Sequence, residues 1–221
     1  MLLKKLIKNI VGRRYYGFLL NTKLGTKFHD YLHSNSTTSR DFLLQVLPKY
    51  SIGAEIGVNE GDFSERILEI VSPKKLHLID PWKFESDEFY KTTPYGSENI
   101  SNQKMMEEKY KKVQNRFKTE IKKNLVVINR GSSENILSLF DDNYFDWMYI
   151  DGNHLYEYVK KDLELSHNKI KSGGLITGDD YYEEGWCNGG VKKAVDEFVS
   201  TGSVRLFQIK NNQFILQKQI L

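Results

Sequence analysis

The sequence predicts an α/β protein built on one doubly wound, mostly parallel sheet, with an antiparallel hairpin at its C-terminal end. Three observations carry that expectation. From Ile52 onwards short apolar runs alternate with segments of helical periodicity, the rhythm of strand, helix, strand units. Between Tyr144 and Tyr181 two apolar runs are joined by one helical segment, which makes a right-handed crossover between parallel neighbours. Near the end, Asn211-Asn212 separates two short runs and reads as a hairpin turn.

Composition narrows the class. At 221 residues the chain suits one well-buried α/β core, and 39% hydrophobic with 28% charged residues is ordinary for a globular protein. The 32 basic and 29 acidic side chains nearly cancel, which argues against nucleic acid as a partner. The single cysteine, Cys187, excludes an internal disulfide and a cysteine-built zinc site, and points to a reducing, cytoplasmic setting. No run reaches the roughly 18 apolar residues of a membrane-spanning helix.

The chain divides by pattern into a helical extension over residues 1–47 and one α/β domain over 48–221, with an insertion near 83–118. Residues 2–20 place Leu3, Leu6, Ile7 and Ile10 on one helical face and Lys4, Lys5 and Lys8 away from it. That face suits packing on the core or on a second copy in a homo-oligomer; attachment to an anionic membrane surface is the alternative. Lys8, Arg13 and Arg14 interrupt what would be the apolar region of a secretory leader. A short helix from Asp41 to Leu47 stops at Pro48.

Strand one is expected over Ile52–Ile56, followed by the loop Gly57–Gly61 and a helix over Phe63–Val71 that Asp62 or Ser64 could cap. Strand two, Lys75–Ile79, closes on Asp80-Pro81-Trp82. The polar and aromatic insertion from Lys83 to about Asn102 carries Phe84, Phe89, Tyr90 and Tyr95, and a charged helix runs on to Phe117. Leu125–Ile128 is strand three, and Gly131-Ser132-Ser133 leads to a helix around Ile136–Phe140. Strand four ends Trp147-Met148-Tyr149-Ile150, and the next helix shows its core stripe at Leu155, Val159 and Leu163. Gly173-Gly174 reads as the break before strand five, Gly174–Gly178. A helix over Lys192–Val199 and the hairpin strands Val204–Ile209 and Phe214–Gln217 complete the chain.

Two places carry chemistry. The first is Glu55-x-Gly57-x-x-x-Gly61, a glycine loop between a strand and a helix, where a ligand can approach the backbone. Its spacing is not that of a dinucleotide pyrophosphate site, and Glu55 sets a carboxylate where phosphate would be repelled. Asp80, about 25 residues on, stands where an acid accepts hydrogen bonds from ribose hydroxyls. A nucleoside that carries a cation rather than phosphates fits both; the plain alternative for Glu55 and Asp80 is two solvated strand ends.

The motifs AEIGVNEGDFS, LHLIDPW and IDGNHLYEYVKKDL with KSGGLITGDDY and GVKKAVDEF resemble, in that order, the class I S-adenosylmethionine-dependent methyltransferases. Within them they look most like the group related to macrocin O-methyltransferase and other sugar O-methyltransferases. The resemblance spans about Ser51 to Ile209 and implies a Rossmann-like sheet of seven strands. It implies that Glu55, Gly57, Asn59, Gly61 and Ser64 surround the methionine part of the cofactor, Asp80 the ribose and Ser132 the adenine.

The second place is acidic. Strands four and five end in Asp151 and in Asp179-Asp180, on one edge of a parallel pair, and three such carboxylates repel unless a positive charge sits among them. Oxygen donors without sulfur suit a hard cation, and Mg²⁺ held by Asp151, Asp179 and Asp180 would position an acceptor hydroxyl and lower its pKa. His154 would face the same pocket as a general base. The plain alternatives are turn chemistry for the aspartates and, for His154, helix capping or a hydrogen bond to a neighbouring carboxylate. The expected function is methyl transfer to a hydroxyl of a sugar or glycosylated small molecule. The rivals are a metal-independent methyltransferase acting on an amine or phenol, and a non-catalytic nucleoside-binding module.

Overall fold

The computed structural model describes residues 40–85, 102–183 and 188–220. The expected N-terminal helix, the loop after it, Phe89, Tyr90 and Tyr95 of the insertion, Trp186 and Cys187 lie outside these residues. A short helix α1 (Asp41–Val46) precedes β1 (Ile52–Ile56), α2 (Asp62–Val71) and β2 (Lys75–Asp80). There follow α3 (Gln103–Arg116), α4 (Lys118–Lys122), β3 (Val126–Arg130), α5 (Ser133–Leu137) and β4 (Phe145–Ile150). The chain continues through α6 (Tyr156–Lys169), β5 (Ile170–Gly178) and α7 (Gly190–Ser200), and closes with β6 (Val204–Lys210) and β7 (Gln213–Lys218). Among the described residues no helix is long and apolar enough to cross a membrane.

One seven-stranded sheet has the order β3-β2-β1-β4-β5-β7-β6. The first five strands pair in parallel, and β7 runs against both β5 and β6. The reversed strand therefore lies one place in from the edge. The order turns back between β1 and β4, the switch point at which open α/β sheets bind ligands beyond the carboxyl ends of their strands. Trp147, Met148 and Tyr149 are wholly buried, as expected for a central strand covered on both faces.

Asn211 and Asn212 both have positive φ, 51° and 61°, the geometry of a type I′ hairpin turn. Val159 and Leu163 are buried as the helical stripe requires, but Leu155 is the N-cap of α6 rather than a helical residue. The glycine pair does not end that helix. The chain leaves α6 at Lys169 and enters β5 directly at Ile170, whose backbone is extended. Gly173, at φ 76°, lies inside the strand, where the register against β4 jumps between Phe145 and Trp147; the pair makes a bulge. Neither expected cap of α2 is used. Gly61 is the N-cap, at φ 80°, with no side-chain cap. Asp62 pairs with Arg116 at 2.5 Å, and Ser64 turns inward.

Candidate active site

The glycine loop is pinned between two strands. Gly57 donates its N–H to the Ile79 carbonyl at 2.9 Å, and Gly61 closes a turn on the Val58 carbonyl at 2.9 Å. Gly57 has φ 88°, and a Cβ there would lie 2.0 Å from the carbonyl oxygen of Asp151. The Asp151 N–H in turn donates to Ile56 at 2.8 Å. The loop after β1 and the acidic end of β4 are thus in backbone contact.

Asp80 is buried and accepts three backbone hydrogen bonds. Its Oδ2 takes the N–H groups of Val58 and Asn59, each at 2.9 Å, and its Oδ1 takes that of Trp82 at 2.7 Å. Burial pushes its pKa up, against the opposing pull of those three bonds. Trp82 adopts φ 41° and donates its indole N–H to the Asn59 carbonyl at 2.8 Å. Glu55, 1% exposed, accepts a hydrogen bond from the buried Ser64 hydroxyl. Glu55 and Asp80 are therefore not solvated strand ends. Ser132 caps α5, accepting from the Asn135 N–H at 3.3 Å. Beside it Ser133 donates to the buried Asp162, whose pKa burial pushes up to about 6, with the Ser133 bond opposing and the Glu134 charge adding to the rise.

The crossover brings Asp151, His154, Asp179 and Asp180 to one edge. His154 Nε2 lies 3.2 Å from Asp151 Oδ1, and its Nδ1 lies 3.4 Å from Asp180 Oδ2. Burial alone would lower the imidazole pKa; the Asp151 hydrogen bond and the charges of Asp151, Asp180 and Asp179 outweigh it and raise the pKa. His154 thus makes the hydrogen bond to a neighbouring carboxylate that was its plain alternative, and it stands between Asp151 and Asp180. Asp180 has φ 60°, and its N–H donates to Asp179 Oδ1 at 2.7 Å. Three carboxylates without sulfur are donors suited to a hard divalent cation. In this arrangement no group of three His, Cys, Asp or Glu among the described residues is gathered as a bound ion requires.

Residues 54–181, more than half of the chain, match the family model described as a methyltransferase domain. The chain belongs to that family. It is a methyltransferase of the S-adenosylmethionine-dependent class, and its sheet is the Rossmann-like sheet of that class. Among solved structures it is similar to the O-methyltransferase TomG from Streptomyces achromogenes, in complex with S-adenosylmethionine. The two are 14% identical over 85% of this chain and 80% of that one, with a TM-score of 0.58. It is also similar to the O-methyltransferase from Bacillus cereus in complex with S-adenosylhomocysteine, at 11% identity over 99% and 97% of the two chains, with a TM-score of 0.57. No curated protein sequence matches the chain significantly.

Two side chains of this methyltransferase escaped the sequence reading. Gln213, at the start of β7, donates its amide to Asp179; only the strand register reveals it. Trp82 walls the glycine loop, and the Asp80-Pro81-Trp82 corner was the available signal.

Proposed function

We propose that this methyltransferase transfers the methyl group of S-adenosylmethionine to a hydroxyl oxygen of a sugar or glycosylated small molecule, assisted by Mg²⁺. The contact of Gly57 with the Asp151 carbonyl carries this reading, because it sets a cofactor loop against an edge rich in proton acceptors. The sulfonium methyl is already activated, so the chain must align an acceptor oxygen and take its proton.

In this reading Gly57, Asn59 and Gly61 admit the methionine part of the cofactor close to the backbone, above the Glu55 and Ser64 pair. Asp80 reaches the ribose through Oδ1, which accepts one backbone N–H and retains a second lone pair. Ser132 lies beside the adenine. Asp151, Asp179 and Asp180 would hold Mg²⁺, which supplies charge that positions an acceptor hydroxyl and lowers its pKa. When the carboxylate charge around His154 is neutralised, its pKa falls, and the neutral imidazole can receive the acceptor proton.

The test is release of S-adenosylhomocysteine from S-adenosylmethionine with a panel of saccharide acceptors, with and without a chelator. Turnover on a hydroxyl acceptor that chelation stops supports the reading. Turnover on an amine or phenol, unaffected by chelation, would replace it with the metal-independent alternative. Tight cofactor binding without any product would favour a non-catalytic module.

A further inference from the structure

We propose that Asp162 is a positioning residue that sets the base specificity of the cofactor site through Ser133: it takes the serine's only hydroxyl proton and leaves that oxygen as an acceptor, matched to the exocyclic amine of adenine. The inference rests on the function proposed above only in placing adenine beside Ser132.

The turn after β3 supplies the geometry. Gly131 donates its N–H to the Asp80 carbonyl at 3.1 Å, so Ser132 and Ser133 stand next to the strand end assigned to the ribose. Ser133 is partly buried, and its hydroxyl donates to Asp162 Oδ1. Asp162 is 4% exposed; it acts from behind the serine and not on the ligand. Its other oxygen lies towards the turn after β4, 3.9 Å from where a Cβ on Gly152 would stand. A second tie between α6 and α5, from Lys161 to Glu134 at 3.3 Å, keeps the two helices in register.

A hydroxyl has one proton and two lone pairs, and an ionised carboxylate can only accept. Once Ser133 has given its proton to Asp162, its oxygen can meet only a donor. Adenine presents an amine at the position where hypoxanthine presents a carbonyl, and a carbonyl would face the serine's lone pairs.

Calorimetry at pH 8 with S-adenosylhomocysteine and with its inosyl counterpart, on wild type and Asp162→Asn, tests this, together with a crystal structure of the wild type with S-adenosylhomocysteine. At that pH Asp162 is ionised, its pKa being raised to about 6. Wild type should prefer the adenosyl compound by about tenfold or more, the effect of one polar group left without a partner. Asparagine keeps the shape of the side chain and can turn its NH₂ group towards Ser133, which frees the hydroxyl to donate outward. The preference should therefore fall about tenfold in Asp162→Asn, chiefly through tighter binding of the inosyl compound, a gain that loosened packing could not give. Ser133→Ala should lose the preference through weaker adenosyl binding, and it serves if Asp162→Asn does not fold. Equal affinities in the wild type, or an unchanged preference in the folded variants, with adenine against Ser133 in the crystal, would overturn this inference alone. Adenine lodged away from the turn would overturn its placement beside Ser132 and this inference with it.

Discussion

Gly57 lies against the backbone of Asp151 so closely that a methyl group on its Cα would overlap the Asp151 carbonyl oxygen, at 2.0 Å. The overlap is with backbone, and φ 88° is itself unfavourable for any residue with a Cβ. Gly57→Ala should therefore cost about 3 kcal/mol or more in stability. It should also weaken cofactor binding, because both strand ends must part. Urea unfolding and cofactor titration check this; a variant with wild-type values in both would contradict the packing described.

Asp80 holds the loop through the N–H groups of Val58 and Asn59 and also accepts that of Trp82, and removing the carboxylate leaves these three donors without their acceptor. Each lost partner costs about 1 to 3 kcal/mol where water cannot replace it. Asp80→Ala should lose both stability and cofactor affinity. Asp80→Asn should lose less, because one oxygen still accepts while its NH₂ group faces an N–H donor. Equal losses in the two variants in thermal unfolding would show that the oxygen retained by Asn contributes nothing and would contradict this reading.

That the sheet is mostly parallel and ends in a hairpin was legible in the sequence because central strands such as Trp147–Ile150 are apolar on both faces, and Asn211-Asn212 has only one common use. Asp80, Asp151 and Asp179 were legible as acids at strand ends. Their partners were not. That Asp80 binds the glycine loop, that Gln213 faces Asp179 and that Gly173 bulges β5 instead of ending α6 all depend on register and on contacts between distant strands. Such contacts leave no local periodicity.

Two buried groups outside the proposed site titrate in opposite senses. His77 packs among Phe140, Tyr144 and Phe145, and burial together with the Lys75 charge lowers its pKa to about 4 from 6.5. Above pH 6.5 the ring is neutral in both folded and unfolded chains; as pH falls towards 4 only the unfolded chain takes the proton, so stability drops by about 3 kcal/mol. Asp162, raised to about 6, does the reverse. Below its ordinary value of 3.8 it is protonated in both states, and a cost of about 3 kcal/mol develops as pH rises through 6. Urea unfolding from pH 4 to 8 should show a weaker acid loss for His77→Gln. Asp162→Asn should gain most at pH 8 and nothing near pH 4. Parallel pH profiles for wild type and both variants would refute these assignments.

If His154 takes the acceptor proton as proposed, its raised pKa should give methyl transfer an acidic limb, with activity rising as the imidazole loses its proton. Asp180→Asn removes one of the charges that raise this pKa, so the limb should move to lower pH. Added Mg²⁺ should move it in the same direction in the wild type. A pH–rate profile measured as kcat/KM reads both shifts, and a limb that stays in place would remove His154 from the proton path.

In the proposed reaction Asp179 serves methyl transfer and not cofactor binding. The direct measurement is methyl transfer from labelled S-adenosylmethionine to a hydroxyl acceptor by wild type and Asp179→Ala, with cofactor binding measured on the same preparations. Asp179→Ala should bind the cofactor nearly as wild type does and form no product. A variant as active as wild type would contradict it.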